Sequence, residues 1–117
     1  MNGLLVFCNV PDRAVAETLA TALLVEHLAA CVNILAPCRS MYRWDGRLEC
    51  AEEIPLLIKT SVAVYPALEA RIKSLHPYQV PEIVACQISH GLPSYLTWVE
   101  QEVFQGVTAL PPSQTSV

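Results

Sequence analysis

Residues Cys31-Val32-Asn33-Ile34-Leu35-Ala36-Pro37-Cys38-Arg39-Ser40-Met41-Tyr42-Arg43-Trp44 lead into Asp45-Gly46, and Arg47-Leu48-Glu49-Cys50-Ala51-Glu52-Glu53-Ile54-Pro55-Leu56-Leu57-Ile58-Lys59-Thr60-Ser61 lead away from it. Asp-Gly between two β-prone runs is a strong hairpin signal, because a two-residue type I′ turn needs positive φ at both central positions. With that turn as the loop, Trp44 stands opposite Arg47, Tyr42 opposite Glu49 and Arg39 opposite Glu52, the last an opposite-charge cross-strand pair. The same register sets Pro37 opposite Ile54 and Ala36 opposite Pro55. Two prolines at one level cannot both serve a ladder, so a bulge or bend is predicted there. Beyond it the tip is polar and aromatic. Nearer the base, Val32 to Leu35 and Leu56 to Ile58 read as buried. A long hairpin whose outer half leaves its own sheet is suited to reach a neighbouring subunit.

Outward from the hairpin the pattern alternates. Leu4 to Asn9 is a short apolar run closed by Val10-Pro11-Asp12, read as a first strand buried on both faces. Asp12 is placed to N-cap a helix on which Val15, Leu19 and Leu23 recur at i+4 spacing, ending near His27 or Leu28. After the hairpin, Pro66 suits the first turn of a second helix carrying Leu68, Ile72 and Leu75, stopped at His76-Pro77 because a residue before proline avoids the α region. Glu82 to Ile88 reads as the last strand, and Leu96, Val99 and Val103 mark a third helix with Ser94 as its N-cap. The order strand, helix, strand, strand, helix, strand, helix is an α+β arrangement. It predicts a ferredoxin-like split-βαβ sandwich: a four-stranded antiparallel sheet with helices on one face, a long bent hairpin and an extra C-terminal helix. One domain over residues 1–105 is expected, followed by a flexible tail over 106–117.

The composition narrows the functional classes. A chain of 117 residues with 53% hydrophobic residues closes one core without staples and leaves no room for a two-domain enzyme. Mean hydropathy is +0.38, high for a small chain that must cover its surface, and the uncovered sheet face predicts self-association. Net charge is -4 and the seven basic residues are scattered singly, which argues against nucleic-acid binding. No apolar run is long enough to span a bilayer, and the N-terminus lacks the features of a signal peptide. Five cysteines without a C-x-x-C pair read as reduced thiols in a cytoplasmic protein rather than a disulfide framework or zinc site.

Several blocks together resemble one family: Cys31-Val32-Asn33-Ile34, Tyr42 to Glu49, Ile58-Lys59-Thr60, His76-Pro77-Tyr78-Gln79-Val80-Pro81-Glu82-Ile83 and Tyr95 to Val99. The resemblance is to the CutA divalent-cation tolerance proteins. It spans about residues 4–104, and the block from His76 to Ile83 is its most specific part. It implies a homotrimer with hairpins reaching onto neighbours, and copper held by the first-strand thiol and the His-Pro-Tyr block, here Cys8, His76 and Glu82. Where some relatives carry two histidines, this chain has Leu75-His76, which implies weaker binding or a different metal.

A thiol, an imidazole and a carboxylate suit Cu(I), Cu(II) or Zn(II). Each also has a plain structural reading. Cys8 in mid-strand is a core residue, His76 caps a helix, and Glu82 pairs with Lys59 or with a neighbour's arginine. Tyr42, Arg43 and Trp44 are either a recognition surface for a protein partner or inter-subunit packing. Tyr78 and Trp98 either line a cleft or fill the space between helix and sheet. Lys59 and Asn33, polar residues in apolar strands, either satisfy each other's neighbours or face a pocket between subunits. Nothing surrounds Cys8, Cys86, His76 or His90 that makes a nucleophilic motif, so the chain is not read as an enzyme. The expected function is divalent-cation tolerance through copper or another divalent metal. The alternative is a trimeric signalling or scaffolding module, similar in architecture to the PII proteins, that binds a small ligand or a partner at its clefts.

Overall fold

The computed structural model describes residues 2–103. The expected tail over 106–117 lies outside them. Five strands and three α-helices follow one another as β1 (Gly3–Val10), α1 (Arg13–Val25), β2 (Cys31–Ile34), β3 (Cys38–Trp44), β4 (Arg47–Ser61), α2 (Tyr65–Leu75), β5 (Ile83–Gln87) and α3 (Pro93–Glu102). The sheet runs β2-β4-β1-β5, and β3 pairs with the outer half of β4. Every pairing is antiparallel. This is the ferredoxin-like order. The fifth strand exists because the first arm of the predicted hairpin is broken in two.

The break lies at the prolines. Beyond the turn, Cys38 pairs with Glu53 and Trp44 with Arg47, the register read from Asp45-Gly46. At the base, Ile34 pairs with Leu56 and Cys31 with Lys59. Between those ladders Leu35, Ala36 and Pro37 face only Ile54 and Pro55, so one extra residue bulges out and twists the arm away from the sheet. Pro55 sits in mid-strand because its carbonyl points to the bulged side, where it accepts a bond of 3.0 Å from the Leu35 N–H. The N–H that proline lacks would have pointed to the same side, so the ladder to β1 loses nothing. Asp45 at φ 53° and Gly46 at φ 76° form the expected turn.

On one face of the sheet Val6, Cys8 and Val10 of β1 and Leu56 and Ile58 of β4 meet Ala16, Leu19 and Leu23 of α1 and Leu68 and Ile72 of α2 in a closed core. The Asp12 side chain caps α1 through the Val15 N–H at 2.9 Å. His27 at φ 60° ends it, with the Leu28 N–H returning to the Leu23 carbonyl. Thr60, fully buried, donates to the Leu28 carbonyl at 2.7 Å. The expectation that the first strand is buried on both faces needs correction: the alternate residues Leu5, Phe7 and Asn9 are half-buried, because α1 and α2 lie on the other face and α3 reaches only one end of theirs. Leu96 of α3 packs over the Gly3 and Ile88 end of that second face. Ser94 is not the cap of α3. Proline with its fixed φ takes the first helical position at Pro93, so Leu92 becomes the N-cap and Ser94 falls inside.

Candidate functional site

β1 carries Cys8 and Asn9 to the end of the sheet where three other segments arrive: the start of β3, the bulged part of β4, and the chain between α2 and β5. Asn9 is the hub. Its backbone carbonyl accepts from His76 Nε2 at 2.8 Å and faces the Cys8 thiol at 3.9 Å. Its side-chain amide donates to Glu53 Oε1 and to Glu82 Oε1, each at 3.3 Å. Glu53, only 7% exposed, also accepts from Ser40 Oγ at 2.7 Å and from the Tyr78 hydroxyl at 2.9 Å. The Tyr78 and His76 rings lie with centroids 4.7 Å apart. Above this knot opens a cleft of about 620 Å³, walled by Tyr42, Trp44 and Met41 of the arm on one side and by Tyr78 and Val80 on the other. Its polar floor is Asn9, Ser40, Glu53 and Glu82, and no lysine or arginine among the described residues lines it.

His76 ends α2 because the residue before Pro77 takes an extended ψ of 134°. The Tyr78 backbone N–H donates to its Nδ1 at 3.1 Å, so Nδ1 is the acceptor and Nε2 carries the proton given to Asn9. Both ring nitrogens are thereby engaged. The Cys8 thiol has no exposed surface, and burial pushes its pKa up to about 12, with the negative charges of Glu82 and Glu53 adding to the effect. Glu82 is the one expected ligand that is exposed, and Asn9 is its partner. Thus Cys8, His76 and Glu82 are gathered round one asparagine, with the Cys8 thiol buried and both imidazole nitrogens already hydrogen-bonded. No three His, Cys, Asp or Glu side chains among the described residues form a metal-holding group. The donor chemistry suits copper, but the residues as folded do not fit a preformed copper centre.

The residues expected at an interface or cleft separate into three places. Tyr42, Trp44 and Tyr78 line the same cleft. Trp98 lies on α3 against Tyr95, centroids 5.6 Å apart and 40% exposed. Lys59 lies on the sheet face opposite α1 and α2, where its ammonium donates to Asn33 Oδ1. Lys59 is not the partner of Glu82. Sequence reasoning missed Glu53, Asn9 and Ser40. Glu53 sits two residues before Pro55, and a carboxylate beside a break in an apolar strand was the available signal. Its buried setting follows from the bulge, which leaves both Glu53 and its neighbour Ile54 buried.

Residues 4–102 match the model of the CutA1 divalent ion tolerance proteins. The chain belongs to this family. It is 48% identical to the divalent-cation tolerance protein CutA of Thermus thermophilus over 82% of this chain and 93% of that protein. The solved structure of the Thermus thermophilus protein superposes with a TM-score of 0.86 at 45% identity, covering 87% of this chain and 99% of that one. CutA from Xylella fastidiosa gives the same TM-score at 44% identity over 89% and 100% of the two chains. The CutA1 family is named for tolerance of divalent ions, a role and not a reaction. Among the described residues no helix is long and apolar enough to cross a membrane.

Proposed function

We propose that this chain serves divalent-cation tolerance as a cytoplasmic homotrimer, and that the divalent ion, Cu(II) or another such as Zn(II), meets each subunit at the mouth of the cleft through Glu82 and Glu53. The observation that carries this reading is the pair of carboxylates drawn to one asparagine amide with no cationic side chain lining their cleft. Two like charges held together favour a cation between or beside them, and oxygen donors shift the preference from Cu(I) to a divalent ion. Cys8 and His76 then act as supports: the imidazole fixes the Asn9 backbone and the thiol fills the core beneath it. The trimer is supported by the half-buried Leu5, Phe7 and Leu57 on the sheet face that α3 covers only at one end, and by an arm that exposes Met41, Trp44 and Leu48. Five free thiols favour a reducing compartment.

Native mass spectrometry of reduced protein, with and without Cu(II) and Zn(II), tests this on wild type, Cys8→Ser and Glu82→Gln. Three chains with a defined metal load that is lost in Glu82→Gln and kept in Cys8→Ser are expected. A load lost in Cys8→Ser but kept in Glu82→Gln would return the thiol to the ligand set and overturn the carboxylate assignment. No load in wild type would overturn the metal reading and leave the cleft to a small ligand or a docking partner.

A further inference from the structure

The cleft between the arm and the segment that joins α2 to β5 is larger than a bare ion needs. At about 620 Å³ it has the size of a site for a small organic molecule, and aromatic rings stand in both walls. Tyr78 is fixed in one wall: its ring lies against His76 with centroids 4.7 Å apart, and its hydroxyl donates to Glu53 at 2.9 Å. Tyr42 stands in the other wall, on the arm. Alternation along paired strands sets Tyr42 and its partner Glu49 on one face of the arm and Leu48 on the other. A neighbouring subunit held through Leu48 therefore leaves Tyr42 to the cleft.

The charge in the floor has one sign. Glu53 and Glu82 share the Asn9 amide, and no lysine or arginine among the described residues lines the cleft. Glu53 already accepts from Asn9, Ser40 and Tyr78. A primary ammonium or a guanidinium would bring several N–H donors to a floor whose buried carboxylate has its acceptors engaged. A quaternary ammonium brings none. It is drawn to aromatic rings and to uncompensated negative charge without needing a hydrogen bond. We propose that the cleft binds an organic cation, a quaternary ammonium head on a short apolar body, with the head between Tyr42 and Tyr78 and facing Glu82 and Glu53. The proposal goes beyond the metal reading and rests on it only in taking the mouth of the cleft to be open in the trimer.

The test is a titration of the reduced, assembled chain followed by amide proton–nitrogen correlation spectra. Three probes are compared at constant ionic strength: butyltrimethylammonium, butylammonium, and neohexyl alcohol, whose tert-butyl head has the same shape without the charge. Saturable shifts at Tyr78, Gln79 and Val80 are expected with the quaternary ion, and binding about tenfold weaker or absent with the other two. Tyr42→Leu should weaken binding of the quaternary ion about threefold or more, and Glu82→Gln should weaken it as well. Circular dichroism and native mass check that the variants fold and assemble, and the wild-type ranking of the three probes decides by itself if they do not. Equal binding of the alcohol would reduce the cleft to an apolar groove, and tighter binding of butylammonium would make it a hydrogen-bonding amine site. Either result, or the absence of saturable shifts at these amides, overturns the proposal. A parallel Zn(II) titration keeps the two readings apart. Zn(II) bound without the quaternary ion overturns this proposal alone, and the quaternary ion bound without any metal overturns the metal reading alone.

Discussion

β4 is one strand with two halves that have opposite surroundings. From Ile54 to Ser61 it lies between β1 and β2 under two helices, and Ile58 and Thr60 have no exposed surface. From Arg47 to Glu53 it pairs only with β3, and Leu48 at its far end is 77% exposed. The inner half is held by burial of apolar area, the outer half by a turn and a ladder of backbone bonds. Isolated two-stranded hairpins are marginal in water, so the arm depends on what it meets at its root and beyond its tip. The polar knot of Asn9, Glu53 and Tyr78 sits where one regime gives way to the other.

Thiol reactivity should separate the halves most sharply. Cys8 in the core has a thiol raised from 9.0 to about 12 by burial, whereas Cys50 on the arm is exposed. At pH 8 that shift alone leaves roughly a thousandfold less thiolate on Cys8 than on an ordinary thiol. In folded protein Ellman's reagent should therefore modify Cys50 at once and Cys8 only on the timescale of unfolding. Comparable rates at the two positions would erase the distinction.

Truncation in the inner half comes next. Leu56→Ala removes a side chain 1% exposed and should cost about 2–5 kcal/mol in urea unfolding. Leu48→Ala, in the same strand, should change the stability of the subunit fold by less than about 0.5 kcal/mol. Equal costs would show that the arm is buried as deeply as the core.

At the boundary, Glu53→Gln replaces an acceptor of three hydrogen bonds by a group that can accept at only one atom, with an expected loss of about 1–3 kcal/mol in the urea midpoint analysis. The Tyr78 hydroxyl pKa is pushed up to about 12, by burial first and by the bond to Glu53 second. The folded state therefore holds this proton more tightly than the unfolded chain, whose tyrosines titrate near the ordinary value of 10.0. That contribution to stability is complete below about pH 10 and is lost as the pH rises toward 12. Tyr78→Phe should flatten this alkaline loss, and a loss of unchanged steepness would remove Tyr78 from its causes.

The turn affects only the arm. Replacing Asp45 and Gly46 together by alanine forces two residues without a tolerance for positive φ into that region, costing about 1–2 kcal/mol of arm stability. Faster hydrogen exchange confined to β3 and the outer half of β4, with β1 unchanged, would match the division drawn here; exchange rising equally in β1 would contradict it.

Much of this was legible in the sequence, because local chemistry is enough to specify it. Asp45-Gly46 fixes a turn, and a turn fixes the register of every residue on either side until something interrupts it. The i+4 spacing of Leu19 and Leu23, the Asp12 cap and the stop before Pro77 depend on neighbours in the chain. The family resemblance implied Cys8, His76 and Glu82 as metal ligands, which places them near one another without saying what each is bonded to. Tertiary structure alone decided what those side chains are free to do. Whether an imidazole nitrogen is open or bonded depends on where the Asn9 carbonyl and the Tyr78 N–H point. Whether a thiol gives up its proton depends on the depth of the core around it, and whether Glu53 faces solvent or a cleft depends on one extra residue in the opposite strand. These are properties of groups far apart in the chain and a few ångströms apart in space, and no pattern along the sequence carries their relative orientation.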